Sequence, residues 1–210
     1  MRLVLPRVKL WQEGFVALLG YAHLPRLVPA DDAQYLFPHA EYSQFLNGTA
    51  VFPICFSASA TFRRLLDAVP IHQSPHSVIY VPCTKRYYGP ILTEAEVVDF
   101  FRARGVHAVD PDRMTVSDRI NLFRQADVVV GPIGETLADI VFCQPGALVW
   151  ELMPMHRQNS RYTFLAQTVE MDYWADVFES VEQKGSSRQM NFAGAKPRDL
   201  PFFVASSWMA

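Results

Sequence analysis

The stretch Asp127-Val-Val-Val-Gly131-Pro-Ile-Gly134-Glu-Thr-Leu-Ala-Asp-Ile-Val-Phe142 decides how this chain folds. It predicts a buried strand over 127–130, a glycine turn, and a helix whose apolar face carries Leu137, Ile140 and Val141. In an open parallel sheet, such a junction presents backbone N–H groups and the positive end of a helix to an anion. The stretch therefore predicts a phosphate-binding turn. The simpler alternative is a tight turn whose glycines only supply positive φ angles.

On both sides of this stretch, short β-rich runs alternate with amphipathic helices. Thr93 and Thr115 each precede an acid by three residues, which is the capping-box pattern of a helix start. Gly105 and the pair Pro145-Gly146 mark helix ends. Further strands are predicted over 77–81, 106–109 and 147–152, and a further helix over 159–169. The alternation predicts an α/β fold: a Rossmann-like parallel sheet with flanking helices and with ligands at the carboxyl ends of its strands.

The clarity of these patterns divides the chain into three segments. Residues 1–76 are expected to form a partial amino-terminal lobe or packing segment, because apolar residues at helical spacing occur only around Trp11 to Leu19 and Phe62 to Val69. Residues 77–180 are the Rossmann-like domain. Residues 181–210 are expected to be an irregular carboxyl-terminal tail.

Composition and charge exclude several classes of protein. Half of the 210 residues are hydrophobic and the net charge is −2, so no basic footprint for nucleic acid is expected. No apolar run reaches the roughly 18 residues of a transmembrane helix, and the proline-broken start does not resemble a signal peptide. Cys55, Cys83 and Cys143 form no CxxC pair, which favours a reduced, cytoplasmic setting.

The ordered motifs over 77–175 resemble the carboxyl-terminal half of glycosyltransferase family 61, with a fainter likeness over 11–27. That family shows a glycine-rich turn of the form Gly-Pro-His-Gly-Ala-Gly-Leu, then a Pro-Gly, a short strand and a glutamate. The positions that match are Gly131, Pro132, Gly134, Leu137, Phe142, Pro145, Gly146 and Glu151. The resemblance implies the carboxyl-terminal domain of a two-domain GT-B enzyme, which would bind a nucleotide-sugar donor over 131–151. The amino-terminal domain of such an enzyme supplies much of the acceptor site.

Within the turn, two positions depart from the family pattern. The family's histidine is Ile133, whose side chain cannot donate a hydrogen bond to a diphosphate. Its Ala-Gly is Glu135-Thr136. Glu135 suits the positive end of a helix but would repel a phosphate.

Before the turn, the family shows an Asn-Glu pair that opens a helix. Here Thr93 replaces the asparagine, and the glutamate is kept as Glu94. The family also ends its first strand with a Ser-Arg pair, and Pro82-Cys83 takes the place of that pair here. These departures bear on catalysis more than on the fold.

The candidate donor-binding residues are therefore Gly131, Pro132, Gly134, Glu135, Thr136, Glu151, Lys85 and Arg86. Glu151 ends a predicted strand, where a carboxylate can accept both ribose hydroxyls; the alternative is a surface charge at a strand end. Lys85 and Arg86 could neutralise a leaving diphosphate, or be ordinary loop charges. Thr136 could donate to a phosphate or bond locally to the backbone.

The catalytic base is not identified by the sequence. Glu94 is the single candidate, and its simpler role is that of an acid in the first turn of a helix. His156 and Arg157 follow the strand of Glu151 and could touch donor phosphate. His72, His76 and His107 lack ligand spacing, so neither a metal site nor a cofactor is expected, with the nucleotide sugar serving as substrate.

These observations lead to a glycosyltransferase that moves a sugar from a nucleotide sugar to a hydroxyl acceptor on a glycan or protein, without a metal. One alternative is a non-catalytic Rossmann-like module for structure or interaction. Another is a chain whose amino-terminal lobe is completed by a second copy or a partner chain.

Overall fold

The computed structural model describes residues 2–5, 7–40, 56–74, 76–83, 94–154, 160–178, 180–181 and 189–190. Its strands are β1 (Leu3–Val4), β2 (Arg26–Leu27), β3 (Val78–Tyr80), β4 (His107–Ala108), β5 (Val128–Pro132), β6 (Leu148–Pro154), β7 (Asp172–Phe178), β8 (Ser180–Val181) and β9 (Gln189–Met190). Its α-helices are α1 (Leu10–Leu18), α2 (Phe56–Ala68), α3 (Glu94–Arg102), α4 (Val116–Arg124) and α5 (Arg161–Thr168), and its 3₁₀ helices are Pro111–Arg113 and Glu135–Phe142. Across these ranges, no helix combines the length and apolar character needed to cross a bilayer.

Five strands form a parallel sheet in the order β4-β3-β5-β6-β7. Numbered along the chain, this is the 2-1-3-4-5 order of doubly wound α/β proteins. In this order the chain changes from one side of the sheet to the other between β3 and β5, which we call the switch point. The parallel, Rossmann-like α/β sheet predicted from the sequence is confirmed.

The two faces of the sheet carry different elements. Tyr80, Val130 and Trp150 lie in one row across the sheet, and Phe101 of α3 packs against Tyr80 and Trp150 with ring centroids 5.0 and 6.0 Å away. The opposite face carries Gly131, which contacts the 3₁₀ helix 135–142. Helices α4 and α5 both contact that 3₁₀ helix, so helices cover both faces of the sheet.

The two amino-terminal helices join the same side as the 3₁₀ helix 135–142. Phe142, at the end of the 3₁₀ helix, stacks on Phe15 of α1 with centroids 6.0 Å apart and meets the ring edge of Phe62 of α2 at 6.1 Å. The helical spacing seen around Trp11 and Phe62 is therefore confirmed. Strands β1 and β2 pair in parallel, and β8 pairs with β9 antiparallel; most of the predicted tail 181–210 lies outside the described residues.

Several predicted helix ends are confirmed by their local chemistry. Thr115 caps α4: its hydroxyl accepts from the Asp118 N–H at 3.1 Å and donates to the Asp118 carboxylate at 2.7 Å. Gly105, just after α3, has φ +77°, which only glycine reaches without strain. Gly146 has φ +83° but lies in the turn before β6, because the 3₁₀ helix already ends at Phe142. Thr93 falls outside the described residues.

Two predicted strand ends are wrong, one helix differs in type from its apolar spacing, and one strand was not predicted. Strand β5 continues through Gly131 to Pro132, and β6 continues past position 152 to Pro154, because both keep pairing with their neighbours. The segment Glu135–Phe142 is a 3₁₀ helix rather than an α-helix. Strand β7 was not predicted, since its sequence mixes acids with aromatics along a half-exposed edge strand.

Candidate functional site

The residues that follow β3 and β5 meet at the switch point. Gly134 lies against Cys83, so closely that a Cβ built on the glycine would be 3.3 Å from the cysteine sulfur. The Thr136 hydroxyl lies 3.5 Å from the carbonyl oxygen of Pro82, to which it donates a long hydrogen bond. The carboxyl ends of the two strands are thus joined by small and polar groups.

The two glycines of the turn allow neighbouring groups to approach the backbone closely. Neither glycine adopts an unusual backbone conformation. Gly131 lies within β5, and a Cβ on it would be 2.8 Å from the carbonyl oxygen of Val81. Gly134 has φ −175° and ψ 160°, which is extended backbone open to any residue. The alternative that these glycines supply positive φ angles is therefore wrong.

The 3₁₀ helix 135–142 begins directly at the switch point, with Gly134 as its N-cap. The Gly134 carbonyl accepts from the Leu137 N–H at 3.2 Å and also from the Tyr162 hydroxyl of α5. The first N–H groups of a helix lack intrahelical acceptors and favour anions. Glu135 is exposed and places negative charge at this positive end, whereas Thr136 is buried.

Glu94, the first residue of α3, reaches back to the end of β3. Its Oε1 accepts from the Cys83 N–H at 2.7 Å. Burial raises the pKa of Glu94, and this hydrogen bond partly opposes that rise. The nearby Tyr80 hydroxyl is buried without a hydrogen-bond partner among the described residues; its pKa is raised by burial first and then by Glu94 and Cys83. Glu94 therefore fixes the start of α3 to the switch point.

Glu151 lies inside β6, one strand away from the switch point, and it is fully buried (0% exposed). Its cross-strand neighbours are Gly131 on β5 and Ala175 on β7. The Tyr173 hydroxyl donates to Oε2 at 2.7 Å. Burial raises the pKa of Glu151 to about 7, while the Tyr173 hydrogen bond and the charge of Arg161 act in the opposite direction.

This position corrects the interpretation of Glu151 as a surface charge. It is not a surface charge at a strand end, because the strand continues beyond it and the side chain is buried. The ribose interpretation stays a prediction, to which the structure adds that Oε2 already accepts a hydrogen bond from Tyr173. Within the described part of the chain, Oε1 is buried without a hydrogen-bond partner.

The structure brings some of the predicted residues together and separates others. Gly131, Gly134, Thr136 and Glu94 converge on the switch point, and Glu151 lies beside Gly131. Pro132 is buried and continues β5. The positions outside the described residues are Lys85, Arg86, His156 and Arg157.

Sequence reasoning missed Tyr173, Cys83 and Tyr162 as members of this site. The aromatic and β-branched residues Tyr173, Trp174, Val177 and Phe178 are the signal that could have indicated a strand and hence Tyr173. The contacts of Cys83 and Tyr162 depend on tertiary packing and left no such signal. Among the described residues, no three His, Cys, Asp or Glu side chains are grouped as metal ligands.

Comparison with known proteins identifies one family. The family model described as Glycosyltransferase 61 matches residues 21–150, more than half of the chain. The match includes the switch point and the 3₁₀ helix 135–142 and ends one residue before Glu151. No curated protein matches the chain.

Proposed function

Because the chain belongs to glycosyltransferase family 61, we propose that it transfers a sugar from a nucleotide-sugar donor to a hydroxyl group on a glycan or protein acceptor. The donor site lies at the carboxyl ends of β3, β5 and β6. Membership of the family supports glycosyl transfer in general, and the donor, the acceptor and the location of the site are our proposal.

The observation that carries the proposal is the start of the 3₁₀ helix 135–142 at the switch point. Ligands of doubly wound sheets bind in the crevice outside the carboxyl ends of the strands at such a point. There the diphosphate would approach Gly134 and the first N–H groups of the 3₁₀ helix, where a helix favours negative charge. Lys85 and Arg86 follow β3 in the sequence and would add positive charge at this edge. Glu135 acts against phosphate binding and so limits its affinity.

Glu151 is assigned to the ribose of the donor. A buried carboxylate oxygen without a hydrogen bond costs about 1–3 kcal/mol of folding free energy. A ribose hydroxyl would donate the missing hydrogen bond to Oε1. Since Oε2 accepts from Tyr173, one oxygen of the carboxylate is left for the ligand.

The proposed reaction is a displacement at the anomeric carbon. The acceptor oxygen forms a bond to that carbon, the bond to the diphosphate oxygen breaks, and a base removes the proton of the acceptor hydroxyl. Backbone N–H groups and nearby cations stabilise the charge that develops on the departing diphosphate. Glu94 is the candidate base. We propose that no metal is needed, so that activity persists in excess EDTA; loss of activity in EDTA that Mg²⁺ or Mn²⁺ restores would overturn this part.

A second candidate function, a non-catalytic interaction module, is favoured by Ile133. This residue replaces the histidine of the family's turn, and its side chain is buried in the core, only 2% exposed. The side chain expected to donate the strongest hydrogen bond in the turn is therefore replaced by a core residue.

Thermal stabilisation by ligands tests the donor site. UDP, GDP, CMP and dTDP are added singly and as sugar conjugates; a ligand at about 100 times its Kd adds about 2.7 kcal/mol to the stability of the folded protein. One responding nucleotide is expected. Thr136→Val and Arg86→Ala should reduce its effect, whereas the control Thr168→Val, whose hydroxyl bonds the Phe164 carbonyl, should not. No shift with any nucleotide would overturn the donor site and leave the interaction module.

A further inference from the structure

Tyr173 is a polar residue of the site region that the proposed reaction leaves without a role. It lies on β7, the edge strand of the sheet, and its ring is partly buried. Burial is the main cause that raises the pKa of its phenol, so the hydroxyl stays protonated and remains a hydrogen-bond donor. Its acceptor is Oε2 of Glu151, at 2.7 Å.

The described surroundings of Glu151 give no hydrogen bond to the second oxygen of its carboxylate, Oε1. Its neighbours on the two adjacent strands, Gly131 and Ala175, carry the smallest side chains and no polar side-chain group. The charge of Arg161 on α5 also acts on the carboxylate and lowers its pKa. Consequently Tyr173 holds one oxygen, while Oε1 is buried without a partner in the described ranges.

This asymmetry differs from what a purely structural carboxylate shows. Buried polar atoms in folded proteins are nearly always hydrogen-bonded, and an exception needs an explanation. A carboxylate that only stabilised the fold would have donors on both oxygens. Here the Tyr173 hydroxyl orients the Glu151 carboxylate. The other oxygen, Oε1, is left for a hydrogen-bond donor that the described residues do not provide.

We propose that Tyr173 is a positioning residue, which holds Oε2 of Glu151 so that Oε1 accepts a hydrogen bond from a ribose hydroxyl of the donor nucleotide. This inference rests on the proposed function, and it adds that selection for ribose depends on the Tyr173 hydroxyl. Tyr173 itself touches no reacting atom.

The test compares each of UDP, GDP and CMP with its 2′,3′-dideoxy analogue by calorimetric titration. Hydrogen bonds to charged groups correspond to a preference for the ribonucleotide of about tenfold to a hundredfold in the wild-type protein. Tyr173→Phe keeps the ring and its packing but removes the hydroxyl, and we expect it to reduce this preference to within about threefold. Tyr35→Phe, which removes an exposed hydroxyl that accepts from the Ala30 N–H, should keep the wild-type preference.

A double-mutant cycle shows whether Tyr173 acts through Glu151. If it does, Tyr173→Phe adds no further loss of preference in a Glu151→Gln background. A merely structural hydroxyl would weaken the ribonucleotide and the dideoxy analogue equally, and that result overturns the inference. Full preference in Tyr173→Phe overturns it too, while leaving the proposed function intact. Absence of binding of every nucleotide to the wild-type protein overturns the proposed function itself.

Discussion

At the scale of single residues, Glu151 combines full burial with a hydrogen bond that, among the described residues, reaches only one of its oxygens. The sequence predicted Glu151 as a donor-binding residue, but it could not indicate burial, because burial depends on how far β6 extends and on what packs above it. The same holds for Cys83, whose contact with Gly134 is set by the approach of β3 and β5. Several residues chosen from the motif therefore lie close together, their role in binding stays a prediction, and their surroundings were not predictable.

The buried carboxyl group gives a first prediction. The pKa of Glu151 is about 7 in the folded protein and 4.5 ordinarily, so between these values the folded state binds more protons than the unfolded state. This contribution to stability is fully present below about pH 4.5 and is lost as pH rises through about 7, with an upper bound of about 3 kcal/mol. Urea unfolding at about pH 5 and about pH 8 should show a larger loss in the wild-type protein than in Glu151→Gln, in which only other groups such as Glu94 still contribute. The exposed Glu96→Gln is the control and should keep the loss; an equal loss in Glu151→Gln would contradict the prediction.

The close approach at Gly131 gives a second prediction. In Gly131→Ala the new Cβ would lie 2.8 Å from the backbone oxygen of Val81, and neither paired strand can move away easily. We expect a loss of about 1–3 kcal/mol of unfolding free energy, typical of overpacking. Gly134→Ala is the matched control: its Cβ meets the sulfur of Cys83 at 3.3 Å, and a side chain can adjust. Chemical denaturation that gave equal losses for the two variants would refute this account.

At the scale of elements, α4 was predictable and the 3₁₀ helix 135–142 was not. The cap of α4 is local, since Thr115 and Asp118 bond to each other. The 3₁₀ helix has the same apolar spacing as an α-helix, and distant contacts act on it. Tyr162 donates to the Gly134 carbonyl at its start, and Arg119 of α4 binds Asp139 in its middle. A 3₁₀ helix of this length is uncommon, which agrees with its being stabilised from outside.

The pair between Arg119 and Asp139 gives the prediction at this scale. Both residues are buried, and Arg119 donates to Oδ2 of Asp139 from Nε at 2.9 Å and also from Nη2. Arg119→Leu leaves the Asp139 charge without its cation in the core and should cost about 3–5 kcal/mol, measured by urea unfolding. The double variant Arg119→Leu with Asp139→Leu should recover most of this loss, because it removes both charges.

An exposed ion pair supplies the control for that experiment. Arg113 binds Asp110 at 3.1 Å with its side chain 87% exposed, and Arg113→Leu should change stability little, because solvent screens the pair. A double variant as unstable as Arg119→Leu alone would show that the pair is not the source of the loss.

At the scale of the whole molecule, the parallel sheet followed from the alternation of strands and helices, but the strand order did not. The order β4-β3-β5-β6-β7 depends on which side each crossover takes, and no local pattern encodes that choice. The edge strand β7 was missed for a related reason. It is half exposed along its length, so its residues lack the apolar run that made β5 evident. The sequence therefore predicted a site at the carboxyl edge of the sheet without including Tyr173.

The packing of the amino-terminal helices gives the last prediction. Phe142 is 2% exposed and contacts both Phe15 of α1 and Phe62 of α2, so these helices share a core with the sheet. We therefore expect calorimetry to show a single unfolding transition for the wild-type protein. Phe142→Ala should lower stability by about 3–5 kcal/mol, whereas Phe142→Leu should lose much less because it fills most of the space. If α1 and α2 belonged to an independent unit, the wild-type protein would unfold in two steps. Phe142→Ala would then increase the difference between the two transition temperatures. The shared phenylalanine cluster instead predicts that both variants keep one transition, shifted to lower temperature.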